Sequence, residues 1–69
     1  MKTFVTFGQS HSHTINGKVF DKDCVAIVKG DRQKVFEIFG PKFSFEYSAE
    51  DWKEESMQYY PRGYIEVEP

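Results

Sequence analysis

His11-Ser12-His13 sets two imidazoles two residues apart, the spacing at which side chains of a β-strand share a face and can approach one cation. With Asn16-Gly17 as the central pair of a tight turn, counting outward puts His13 opposite Phe20 and His11 opposite Lys22. The diagonal beyond Lys22 is Cys24, whose neighbour across the next expected hairpin is Glu37. Two imidazoles, a thiolate and a carboxylate are an adequate donor set for zinc. Against this, Asp21-Lys22-Asp23 reads as a bend or bulge that turns Cys24 to the other face, and Lys22 brings a positive charge beside the ion. An isolated H-x-H also recurs by chance. Metal binding through His11 and His13, with Cys24 as a further candidate ligand, is the second functional reading, and no cofactor is implied.

Nucleophilic catalysis needs an activating base and a third group to orient it. The available set is Cys24 with His11 or His13 and an aspartate. Cys24 opens the most apolar run of the chain, so an inert core thiol is expected. Gly8, Gly17, Gly30, Gly40 and Gly63 stand singly and form no phosphate-cradling loop. The expectation is a protein that is not an enzyme.

Recognition chemistry is concentrated further on, in Trp52, Tyr59, Tyr60, Arg62 and Tyr64, the residue types that anchor protein interfaces. The charge distribution sharpens this. Residues 1–45 hold seven Lys or Arg against four Asp or Glu, a net of +3, whereas residues 46–69 hold two against seven, a net of −5. An acidic surface with surplus rings suits a basic protein partner. It also weakens a third reading, single-stranded nucleic-acid binding, because the acids repel a phosphate backbone although stacked rings and Arg62 would serve it.

Three turn signals punctuate the elements that must hold these residues. Asn16-Gly17, Gly30-Asp31 and Gly40-Pro41 separate β-prone runs, and strands joined by short turns form an antiparallel meander. Counting from these turns puts Val25, Ile27, Phe36, Ile38, Phe43, Phe45 and Tyr47 on one face, the expected core, with Cys24, Ala26, Val28, Val35 and Glu37 opposite. Ser48 reads as an N-cap for a short helix from about Ala49 to Met57, held by Trp52. Pro61 and Gly63 end it, and Tyr64-Ile65-Glu66-Val67 alternates as a last strand. Thr3-Phe4-Val5-Thr6-Phe7 is a further strand whose edge of the sheet is open. The expected fold is a β-rich α+β domain: a meander of five to six strands, open or curled into a barrel, with one short helix late in the chain.

The 69 residues form a single expected domain, 1–69, since a second core would need more apolar side chains than 39% of so short a chain provides. One cysteine excludes a disulfide scaffold, and 12 aromatics, counting Phe, Tyr and Trp, exclude a disordered chain. No apolar run approaches the about 18 residues of a membrane span, and Met1-Lys2-Thr3-Phe4 opens no signal peptide. A cytoplasmic protein without membrane contact is expected.

Two stretches carry a resemblance. Thr6-Phe7-Gly8-Gln9 followed by His11, His13, Ile15-Asn16-Gly17-Lys18 and Phe20-Asp21-Lys22-Asp23-Cys24-Val25-Ala26, together with Tyr60-Pro61-Arg62-Gly63-Tyr64-Ile65, are similar to small uncharacterised proteins encoded by tailed bacteriophages and prophages. That group has no assigned activity or catalytic residues, so no site residue carries over. The resemblance implies a phage accessory protein acting on a host bacterial protein. The leading expectation is thus a non-enzymatic protein-binding module that uses Trp52, Tyr59, Tyr60, Arg62 and Tyr64 against a host protein or a second copy of itself. Exposed sheet edges make a homodimer part of that expectation.

Overall fold

A computed structural model describes residues 1–67 and shows a small β-rich α+β fold. The elements are β1 (Lys2–Thr6), β2 (His13–Ile15), β3 (Lys18–Phe20), β4 (Cys24–Lys29), α1 (Arg32–Phe39), β5 (Phe45–Ser48), a 3₁₀ segment (Glu54–Tyr59) and β6 (Gly63–Glu66). Four strands form one sheet in the order β5-β1-β4-β6, and β2 and β3 form a separate hairpin. Among the described residues the strands close no barrel, and no helix is long and apolar enough to cross a membrane.

The hairpin follows the sequence expectation. Asn16 and Gly17 both adopt positive φ, as a primed two-residue turn requires, and His13 pairs with Phe20, Thr14 with Val19 and Ile15 with Lys18.

The meander does not form. The run from Lys34 to Phe39, expected as a strand, is helical. Its capping groups were already present in the sequence: the Asp31 carboxylate accepts from the backbone N–H of Gln33 and Lys34 at 3.1 and 3.3 Å, and Gly40, at φ +63°, donates its N–H to the Phe36 carbonyl. At helical spacing Val35, Ile38 and Phe39 make one apolar stripe, and this stripe covers the sheet. As a strand the same run would split Val35 and Phe39 from Ile38. Burial of the stripe overrides the β-propensity of Val35, Phe36 and Ile38.

The core face of the sheet is therefore the opposite of the expected one. Val5, Phe7, Cys24, Ala26 and Val28 face Val35 and Phe39 of α1 and Phe20 of the hairpin, with Val67 completing the cluster. Val25 and Ile27 point to the other face. β1 is an interior strand, antiparallel to both β4 and β5, and the last strand, β6, runs parallel to β4. β4 thus lies between two strands and is covered on both faces, which accounts for its unbroken apolar run, Cys24-Val25-Ala26-Ile27-Val28.

The late helix is also different from expectation. Ser48 does cap a turn, accepting from Asp51 N–H on its Oγ at 3.2 Å and from Trp52 N–H on its carbonyl at 3.0 Å. A single turn forms there, and the 3₁₀ segment starts only at Glu54. With a stripe of little beyond Trp52 and Met57, a longer helix here would have no apolar face to bury.

Candidate interaction surface

Ser48 reverses the chain so that Trp52 returns over the second face of the sheet, the face away from α1. The Trp52 indole stacks on Phe4 of β1 with centroids 5.4 Å apart and planes inclined by 12°. Its Nε1–H donates to the Tyr64 hydroxyl on β6 at 2.9 Å. Tyr47 of β5 and Tyr60 approach the same indole at 5.3 and 6.4 Å, and Phe45 continues the row beyond Tyr47 at 6.3 Å. Three strands and the 49–60 connection thus contribute to one aromatic layer. Pairing geometry explains the row: Phe4 is opposite Tyr47 on one side and Ile27 on the other, and Val25 is opposite Tyr64, so these side chains share the face.

Of the five residues expected to contact a partner, Trp52, Tyr60 and Tyr64 come together here. Trp52 and Tyr60 are half-buried, whereas Tyr64 remains 39% exposed. Burial pushes the Tyr60 phenol above its ordinary pKa; the neighbouring Tyr47 adds to the shift and a hydrogen bond with Thr6 opposes it. Tyr59 is 70% exposed. Arg62 is engaged within the fold: its guanidinium pairs with the Asp21 carboxylate at 3.1 Å and its backbone N–H donates to the Asp23 carbonyl at 2.9 Å. Asp21 also accepts from the Asp23 backbone N–H, and that bond, followed by Arg62, holds its carboxyl below the ordinary carboxylate range against the opposing effect of burial. Phe4, Tyr47 and Phe45 belong to the layer although sequence reasoning put Phe45 and Tyr47 in the core. The signal for Phe4 lies in β1, where both alternating sets, Phe4 in one and Val5 with Phe7 in the other, contain apolar residues.

The acids of the last third flank Trp52 and Tyr64 in the chain, and Glu50 and Asp51 line a cleft with Lys2, Arg32 and Glu46. Glu50, Asp51, Glu54, Glu55 and Glu66 are exposed, and among the described residues none of them lies within ion-pair distance of a lysine or arginine. Glu46 differs, because Arg32 of α1 holds it at 2.9 Å.

The expected zinc set is not assembled. Among the described residues no three His, Cys, Asp or Glu side chains converge as metal ligands. Cys24 is fully buried in the core, where Asp21 N–H donates to its Sγ at 3.4 Å; burial pushes its thiol pKa up, and thiolate is the form a metal needs. Asp21-Lys22-Asp23 forms the bend that its sequence indicates, closed by Cys24 N–H donating to the Asp21 carbonyl at 3.3 Å and Asp23 N–H to the Asp21 carboxylate. Glu37 lies on the exposed side of α1 within 3.7 Å of Lys34. His13 has a structural position instead: its Nε2 is 2.6 Å from the Lys42 carbonyl and its ring packs 5.0 Å from Phe39 and 5.8 Å from Phe7. His11 shares none of these contacts.

Comparison with protein-family models, with curated proteins and with solved structures finds no match to this chain.

Proposed function

We propose that the chain is a non-enzymatic protein-binding module whose aromatic layer and flanking acidic residues engage a basic surface on a partner protein. The observation that carries this reading is the fixed position of Trp52, stacked on Phe4 and hydrogen-bonded to Tyr64, with the exposed Tyr64 beside it and the exposed Tyr59 next to Tyr60 in the chain. An anchor already held in one rotamer loses little conformational entropy on binding, and Trp and Tyr are the residues that dominate interface energetics. The unpaired acids Glu50, Asp51, Glu54 and Glu55 supply long-range attraction to a basic partner and disfavour nucleic acid. In the setting that the resemblance to phage proteins implies, the partner is a host bacterial protein.

The test is affinity capture from bacterial lysate, comparing the natural chain with Tyr59→Ala and with the double variant Glu54→Lys, Glu55→Lys. These side chains are exposed, so unchanged far-UV circular dichroism is expected alongside loss of the captured protein. Arg62 and Tyr60 are unsuitable for this purpose because both support the fold. Capture that survives both variants would move the binding surface elsewhere. A gel shift with single-stranded oligonucleotide that weakens with salt would replace the reading by nucleic-acid binding.

A further inference from the structure

The two edges of the main sheet are treated differently. On β6 the Lys18 ammonium donates to the Glu66 carbonyl at 3.4 Å, and the Glu66 side chain adds a charge, so this edge is blunted against further pairing. β5, at the other edge, reads Phe45-Glu46-Tyr47-Ser48 and carries no lysine, proline or bulge. Its one charge, Glu46, is held by Arg32 at 2.9 Å. Phe45 is 62% exposed on this strand, at the open end of the aromatic row. An unblunted edge that ends in an exposed phenylalanine is a template for another strand.

We propose that this strand is the β5 of a second copy, paired antiparallel about a two-fold axis at Tyr47. The pleat restricts the choice of axis. Phe45 and Tyr47 lie on the aromatic face, and Glu46 and Ser48 on the α1 face, because their β1 partners are Thr6, Phe4, Val5 and Thr3 respectively. Pairing that keeps each side chain on its face needs the axis on a residue rather than between two. An axis at Glu46 sets two carboxylates directly opposite each other, a destabilising arrangement. An axis at Phe45 draws in Phe43 and Ser44, which precede the strand; Phe43 N–H is folded back on the Pro41 carbonyl at 3.1 Å. An axis at Tyr47 keeps residues 46–48 paired within β5 and sets Phe45 opposite Ala49 of the mate. It sets Tyr47 against its counterpart and each Glu46 against the Ser48 hydroxyl of the mate, an acceptor facing a donor. The result is one continuous sheet in which the aromatic rows of the two copies join. This pairing is independent of the partner-binding reading, since it uses the strand edge rather than the face.

The test is sedimentation equilibrium of the full chain over a wide range of concentration, together with Phe45→Lys. A reversible dimer is expected for the natural chain and a monomer for Phe45→Lys with unchanged circular dichroism, because a lysine on an exposed edge opposes pairing without touching the core. Mixing Glu46→Cys and Ser48→Cys chains under oxidised glutathione is expected to link one to the other, and neither to itself. A monomer at the highest concentration reached, a dimer indifferent to Phe45→Lys, or a dimer without that mixed disulfide each overturns the proposal.

Discussion

Trp52 and Tyr64 are joined by a hydrogen bond of 2.9 Å from the indole Nε1–H to the phenol oxygen, and this bond ties the 49–60 connection to β6. With the stack on Phe4 it makes Trp52 the link between β1, β6 and the acidic connection. Tyr64→Phe keeps the ring and removes the acceptor, with an expected loss of about 1 kcal/mol in urea unfolding. Trp52→Ala removes the stack as well and is expected to cost about 3 kcal/mol. Two negligible losses would mean that the connection is not docked on the sheet.

The helical state of residues 32–39 is open to direct measurement. Helical Cα chemical shifts are expected throughout Arg32–Phe39. Asp31→Ala is expected to lower stability by about 1 kcal/mol through the lost cap. Phe39→Ala is expected to cost about 3–5 kcal/mol, and Glu37→Ala to stay within about 0.5 kcal/mol. Extended shifts there would restore the hairpin.

Acid sensitivity follows from Asp21. Its carboxyl titrates lower in the folded chain than in the unfolded one, so the unfolded state binds more protons in the acid range. The stabilisation is complete above the ordinary carboxylate pKa and is lost as pH falls through the lower folded value. Asp21→Asn is expected to flatten the decline in melting temperature below about pH 4 while leaving the neutral region parallel. An acid limb of unchanged slope would assign the decline to other carboxylates.

Cys24 is fully buried and its thiol pKa is raised by that burial, so both access and thiolate content are low. Alkylation by iodoacetamide at neutral pH is expected to be slow in the native protein and rapid in urea, as followed by mass spectrometry. Rapid native labelling would show that the core around β4 opens readily.

The two histidines are expected to separate under mutation. His13→Ala removes a ring packed on Phe7 and Phe39 and the bond to the Lys42 carbonyl, and lowers the melting temperature. His11→Ala leaves it nearly unchanged. Chelation with EDTA is expected to have no effect on either protein, since two histidines without a third ligand hold zinc weakly. A fall in melting temperature on chelation would reinstate the metal site.

What the sequence determined by itself was local. Asn16-Gly17 set the β2–β3 hairpin and its register, because a primed turn demands positive φ at both residues and leaves no slack in the pairing. The alternation of β1, the apolar run of β4, the turn at Ser48, the bend at Asp21-Lys22-Asp23 and the surplus of rings and acids in the last third were likewise legible. The tertiary structure decided the helix at 32–39, because a short run of Val, Phe and Ile satisfies periods of 2 and 3.6 alike, and only the presence of a face to cover distinguishes them. It also decided which face of β4 became the core, since that run is apolar on both sides and carries no preference of its own. The parallel pairing of β6 with β4 brought Tyr64 beside a Trp52 already reversed over Phe4. Rings far apart in the chain became one layer through long-range strand order, which no local pattern encodes.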